Sequence, residues 1–289
     1  MQITTKTKTA TSWLVASAVV AAIAMTATRP VTSAETQPEP ALLQFTTPDG
    51  IEYGVWNSTP ETKSAPTLFV LASTIETTLG QTYYRQCGNE LAEHGWVCVT
   101  IDLPCHGKQA VAGEPAGLSG WSHRLANNED VVAEFNVRLS KVLDHLIETG
   151  VTDPERIAAC GTSRGGFLAL HFAAHDQRVK CAAAFAPMTD PRVVNEFVAN
   201  AEHPFVATAS VENQADKLAG RPVWIVIGDQ DERVGTDRAL ALAQKLTAVS
   251  REKKRDSRVE LHVMPEPRGH TTPRGSSQRA ADWILEQFP

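Results

Sequence analysis

The chain has 289 residues, of which 42% are hydrophobic and 21% are charged, a composition typical of a globular protein with a large core. This composition excludes collagen-like, coiled-coil and disordered classes. The 27 basic and 33 acidic residues give a formal charge of −6, and Lys and Arg cluster only at 251–255. Nucleic-acid binding needs clustered cations to neutralise phosphates, so no nucleic-acid partner is predicted.

The first 34 residues differ in pattern from the rest of the chain. Lys6 and Lys8 precede an apolar run over 13–25, and small residues follow up to Ala34. This order is typical of a secretory signal peptide, and the run is too short to span a membrane comfortably. We therefore predict a signal peptide over 1–34, a single domain over 35–289, and a secreted or periplasmic protein without a stable membrane span. An uncleaved membrane anchor is the alternative.

From residue 41 onward the pattern predicts an α/β fold. Segments 42–46 and 51–57 flank Pro48-Asp49-Gly50 and predict an antiparallel hairpin. Short continuous apolar runs then alternate with helical patterns, which is typical of parallel strands buried on both faces. The runs that predict strands are 67–71, 97–103, 156–160, 181–186, 223–227 and 259–263. Together these segments predict a sheet of about eight mostly parallel strands, flanked by helices.

Apolar residues at steps of three and four predict a helix over 128–149, a second that includes 239–249, and a third that includes 280–288. Stretches 104–127 and 190–220 fit no regular crossover, and we predict small lid or site-edge insertions there. His171 and His175 have the spacing of a zinc pair, but no third ligand and no CxxC motif accompany them. We therefore predict no metal or cofactor, and the odd count of five cysteines predicts few or no disulfides.

One motif carries the chemistry. Gly161-Thr162-Ser163-Arg164-Gly165 lies between a predicted strand and a helical pattern that begins at Phe167. A G-x-S-x-G sequence in this position is the nucleophile elbow, whose sharp turn leaves no space for side chains at the two glycines. The turn exposes the serine hydroxyl at a helix N-terminus, where the helix dipole favours developing negative charge. Ser163 is therefore the candidate nucleophile.

A serine nucleophile needs a base to accept its proton and an acid to orient that base. In this architecture they follow in the chain order serine, acid, histidine. The strand 223–227 is followed by Asp229 and Asp231, and the strand 259–263 is followed by His270. We predict His270 as the base and Asp231 as the acid, with Asp229 as the alternative.

These motifs resemble those of the α/β-hydrolase superfamily, in particular its dienelactone hydrolase and prolyl oligopeptidase catalytic-domain branch, over nearly all of 41–289. Dienelactone hydrolases use a cysteine nucleophile, so Ser163 argues against that activity. The matching segments are Gly161–Gly166 at the elbow, Gly228–Val234 around the acid, Gly269-His270, and 102–107, where Cys105 replaces a glycine of a D-x-x-G-x-G turn.

The resemblance also implies an oxyanion hole made of backbone amides. The family usually has His-Gly after its third strand, but this chain reads Leu71-Ala72-Ser73-Thr74-Ile75. A backbone amide needs no particular side chain, so we predict the amides of Arg164 and Thr74 as the donors, with Ser73 as the alternative to Thr74.

The sequence thus predicts an exported serine hydrolase that cleaves a small carboxylic ester through an acyl-enzyme on Ser163. Amides and short peptides are the secondary substrate classes. Acyl transfer to an alcohol is an alternative reaction, and a degenerate hydrolase fold used as a binding module is the non-enzymatic alternative. Substrate identity and oligomeric state are left open.

Overall fold

An eight-stranded sheet lies at the centre of the computed structural model, which describes residues 41–289. The strands are β1 (Leu42–Thr46), β2 (Glu52–Trp56), β3 (Ala65–Leu71), β4 (Val97–Thr100), β5 (Thr152–Thr162), β6 (Cys181–Phe185), β7 (Val223–Gly228) and β8 (Val259–Met264). They are arranged in the order β1-β2-β4-β3-β5-β6-β7-β8; β2 is antiparallel to both its neighbours and the other pairs are parallel. The predicted α/β class with about eight mostly parallel strands is confirmed.

Helices cover both faces of the sheet, because successive strand residues point to opposite sides. In β3, Phe69 belongs to a core that also contains Phe135 and Phe167, whereas Leu68 belongs to a second core with Trp283. The helices are α1 (Ile75–Gly80), α2 (Thr82–Arg85), α3 (Gly88–Ala92), α4 (Gly117–Ala126), α5 (Val131–Glu148), α6 (Arg164–His175), α7 (Pro204–Thr208), α8 (Ala215–Leu218), α9 (Thr236–Glu252) and α10 (Ser276–Glu286).

Several predicted bounds differ from the structure. Helix α5 begins at Val131 rather than at residue 128, because the Asp130 side chain caps it by accepting the Ala133 amide at 2.9 Å. Strand β4 ends at Thr100 rather than at residue 103. Beyond it the backbone leaves the ladder, and the Leu103 amide donates to the carbonyl of Ser73.

The two predicted insertions contain regular structure. Segment 104–127 includes α4, and segment 190–220 includes α7, α8 and short 3-10 turns. Ser122 in α4 accepts a hydrogen bond from the Asn200 side chain at 3.0 Å, so the two insertions contact each other. Their predicted role as lids is not tested by this packing.

Three further sequence predictions concern the signal peptide, membrane spans and disulfides. The predicted signal peptide over 1–34 lies outside the described residues and remains a prediction. Within the described part of the chain, no helix combines the length and apolar character needed to cross a bilayer. All five cysteines are buried and unpaired.

The two histidines of α6 lie in different environments. His171 is buried, its Nε2 donates to the carbonyl of Ala209 at 2.9 Å, and its ring lies 4.3 Å from that of Phe167. His175 is exposed. Burial lowers the pKa of His171 from 6.5 to about 4, because the interior disfavours the charged imidazolium.

This depressed pKa predicts acid sensitivity. In the unfolded chain this histidine takes up a proton near pH 6.5, whereas in the folded protein the His171 imidazole stays neutral down to about pH 4. The stabilisation is therefore complete above pH 6.5 and is lost as the pH falls through that window, at ~1.4 kcal/mol per pH unit and about 3 kcal/mol in total. We expect His171→Phe to reduce the dependence of the free energy of unfolding on pH between 6.5 and 4, measured by urea titration. His175→Gln is the control, and a wild-type slope in His171→Phe contradicts the prediction.

Candidate active site

Ser163 lies in the tight turn between β5 and α6. Its backbone has φ 57° and ψ −117°, a left-handed conformation that residues with side chains rarely adopt. A Cβ atom at Gly165 would overlap the carbonyl of Leu71 at the end of β3, and one at Gly161 would overlap the backbone of Gly165. The two glycines thus let the turn pack directly against β3.

Ser163, His270 and Asp231 are joined by hydrogen bonds. The Ser163 Oγ lies 2.9 Å from His270 Nε2, and His270 Nδ1 lies 2.8 Å from Asp231 Oδ2. The Asp231 side chain is fully buried, and its Oδ1 also accepts the amides of Arg233 and Val234 at 3.1 and 3.3 Å. Since a carboxylate only accepts, Nδ1 carries the imidazole proton and Nε2 is free to accept from the serine hydroxyl.

Asp229 lies outside this chain of hydrogen bonds. Its Oδ1 accepts the amide of Glu266 at 2.9 Å. The buried Glu266 carboxylate in turn accepts from Arg268 Nε and Nη2 at 2.6 and 2.5 Å, and this ion pair lowers the pKa of Glu266 to about 2. Asp229 and Glu266 therefore fix the loop that leads to His270, while Asp231 contacts its ring.

The backbone amides considered as oxyanion donors differ in whether they already have an acceptor. The Ser73 amide donates to Thr78 Oγ1 at 3.0 Å and the Ile75 amide donates to Asp102 Oδ1 at 2.8 Å. For the amides of Thr74 and Arg164, no acceptor is found within residues 41–289. Of the two residues considered after β3, Thr74 rather than Ser73 therefore has a free N–H.

The loop that carries Thr74 is anchored to the elbow and to β4. The Arg164 Nε donates to the carbonyl of Ala72 at 3.1 Å. The Asp102 carboxylate accepts both the Ile75 amide and, at 2.8 Å, the Lys108 amide.

Cys105, which replaces a motif glycine, has the positive φ of 59° that glycine favours.

Sequence reasoning missed the parts that polar loop residues play here. Asp102 opens the turn motif at 102–107, which does not indicate its amide partners, and Gln86 belongs to no motif. Gln86 is buried and donates to Thr162, the residue before the candidate nucleophile, at 2.9 Å. A buried polar side chain in a loop has no sequence signal of its own, because burial depends on distant segments.

The sequence model of the prolyl oligopeptidase family matches residues 138–288, more than half of the chain. The protein belongs to the prolyl oligopeptidase family. The matched segment contains the elbow, Asp231 and His270, which are the residues that form the hydrogen-bonded chain. The protein is therefore a serine hydrolase. No curated protein matches it in sequence.

Solved structures share the fold at low sequence identity. A Bacteroides ovatus protein provisionally named dipeptidyl aminopeptidase IV superposes with a TM-score of 0.64 and 17% identity, over 88% of this chain and 36% of its own. This chain thus spans about a third of that protein's length. For TT1662 from Thermus thermophilus the TM-score is 0.63 and the identity 20%, over 86% and 98% of the two chains. For acetyl xylan esterase 1 from Thermoanaerobacterium sp. JW/SL YS485 the values are 0.58 and 19%, over 86% and 84%. These similarities confirm the α/β-hydrolase fold.

The packing of the elbow against β3 predicts a large effect of a single methyl group. Gly165→Ala places its Cβ atom on the Leu71 carbonyl. We expect destabilisation of about 3 kcal/mol or more, because the atoms it meets are backbone and have little room to relax. Gly80→Ala is the matched control, because Gly80 is exposed in α1 and a Cβ atom there meets nothing within 4 Å. Chemical denaturation of both variants measures the difference, and equal stability of the two would refute the tight-turn interpretation.

Proposed function

We propose that the protein is an exported carboxylesterase that hydrolyses a small carboxylic ester through an acyl-enzyme on Ser163. The hydrogen-bonded chain from Ser163 through His270 to Asp231 carries this proposal. A serine hydroxyl 2.9 Å from an unprotonated imidazole nitrogen is placed to lose its proton as it attacks a carbonyl carbon. Export is inferred from the N-terminal pattern of residues 1–34.

In the first half of the reaction, the Ser163 Oγ attacks the ester carbonyl and His270 Nε2 accepts the hydroxyl proton. Asp231 stabilises the imidazolium that forms, since its carboxylate already holds Nδ1. The free amides of Thr74 and Arg164 donate hydrogen bonds to the carbonyl oxygen and stabilise the negative charge that develops on it. His270 then donates its proton to the leaving alcohol. In the second half, His270 deprotonates a water that attacks the acyl carbon. The bond to Ser163 Oγ then breaks, His270 returns the proton to that oxygen, and the acid is released.

A peptide or amide substrate is the second candidate, because the matching family is named for an oligopeptidase. The structural similarity to an acetyl xylan esterase supports the ester reaction. An alcohol is also a better leaving group than an amine at the same acyl carbon. Parallel assays of p-nitrophenyl acyl esters and the corresponding acyl p-nitroanilides separate the two classes, and faster turnover of the anilides would favour the peptidase.

Removing members of the hydrogen-bonded chain tests the proposed roles. We expect Ser163→Ala to abolish ester turnover and labelling by a fluorophosphonate probe. Asp231→Asn leaves the ring in the wrong tautomer, and we expect kcat to fall by about 10⁴. Asp229→Asn is the matched control and retains kcat within about tenfold, because that side chain holds only the Glu266 amide. Wild-type turnover in Ser163→Ala would disprove the acyl-enzyme.

A single substitution can remove the backbone N–H at position 74 while the chain keeps its conformation there. Proline has no N–H, and the Thr74 φ of −82° is close to the value that proline imposes. We expect Thr74→Pro to lower kcat by about 10² to 10³, the usual cost of one oxyanion donor. Thr74→Ala keeps the amide while it also loses the side-chain cap on Thr77, so it controls for the helix cap. Equal kcat values in the two variants would remove Thr74 from the oxyanion hole.

A further inference from the structure

Gln86 is a buried residue that the hydrolytic mechanism described above does not use. It directly follows α2 and is 2% exposed. Its backbone has φ 48° and ψ −129°, close to the φ 57° and ψ −117° of Ser163. Residues with side chains adopt this conformation only where the surroundings hold them in it, and such positions concentrate at functional sites.

The side-chain amide of Gln86 connects the two loops that carry the nucleophile and the base. Its Nε2 donates to Thr162 Oγ1 at 2.9 Å and to Thr272 Oγ1 at 3.1 Å. Thr162 is the residue before Ser163, and Thr272 lies two residues after His270. The Gln86 Oε1 accepts from the Ser277 hydroxyl at 3.1 Å, at the start of α10. Both amide hydrogens and the oxygen are thus occupied, and the bonds to Thr162 and Thr272 are buried.

Tyr83 in α2 adds further contacts to the histidine loop. Its hydroxyl lies 3.2 Å from Thr271 Oγ1 and accepts the Thr272 amide at 3.4 Å. Tyr83 is exposed, so its bonds compete with water, whereas the bonds of Gln86 to Thr162 and Thr272 are buried. Asp231 lies in a third loop and orients the imidazole through its bond to Nδ1. That bond does not fix the distance between the histidine loop and the elbow, which depends on other contacts.

We propose that Gln86 is a positioning residue that sets the distance between Ser163 Oγ and His270 Nε2 by bridging Thr162 and Thr272. This inference rests on the proposed function of Ser163 and His270. A misplacement of about 1 Å between reacting groups can lower a rate a hundredfold. The bridge fixes both loops to one rigid amide, and its loss lets them move relative to each other without removing any reacting group.

The test replaces the amide while keeping its volume. We expect Gln86→Met to lower kcat for a p-nitrophenyl ester ten- to a hundredfold with KM within about twofold, and to slow fluorophosphonate labelling of Ser163 in parallel. Thr272→Val removes one arm of the bridge at nearly constant shape and gives the same pattern with a smaller loss. Thr272→Ser keeps the hydroxyl and recovers at least half of the wild-type kcat.

Thermal unfolding of each variant separates positioning from a purely structural role. A lowered melting temperature with wild-type kcat and labelling rate per folded molecule, in both Gln86→Met and Thr272→Val, overturns the proposal. If Gln86→Met does not fold, the comparison of Thr272→Val with Thr272→Ser decides, and equal kcat values overturn it. Failure of the proposed function looks different, because wild-type protein is then neither labelled at Ser163 nor active on esters.

Discussion

The contact between the elbow and the carbonyl end of β3 arranges the rest of the site. At Gly165 the backbone approaches Leu71 so closely that a Cβ atom does not fit. This approach places the strained Ser163 beside the loop that follows β3, and the Arg164 side chain closes the contact by donating to Ala72. Backbone packing therefore brings the candidate nucleophile next to the loop that carries Thr74.

Carboxylates then hold the loops at the carboxyl ends of the strands. Asp102 accepts the Ile75 amide at the start of α1 and the Lys108 amide in its own loop. Asp229 accepts the Glu266 amide, and Glu266 pairs with Arg268. Asp231 does the same with the Arg233 amide, and in addition faces His270. The loop acids thus share one physical task, the satisfaction of backbone donors, and one of them also contacts the imidazole.

The strands, the long helices and the elbow could be predicted because each has a local pattern: continuous apolar runs, apolar residues at helical spacing, or two glycines around a serine. Helices α1, α2 and α3 were missed, since helices of four to six residues show no periodicity. The choice between Asp229 and Asp231 stayed open because both follow β7, and only the folded loop decides which side chain reaches the ring. Gln86 could not be found at all, as its partners Thr162 and Thr272 lie 76 and 186 residues away.

The missing His-Gly pair after β3 need not weaken an oxyanion hole. A backbone donor acts through its direction, and here that direction is set by neighbours rather than by a side chain at the position itself. The Ile75 amide is held by Asp102, the Ser73 amide by Thr78, and the Thr74 hydroxyl caps α1 through Thr77. With both adjacent peptide groups fixed, the Thr74 N–H has little freedom to turn away. In the proposed oxyanion hole, this loop therefore departs from the family motif while the neighbours of Thr74 fix the direction of its N–H.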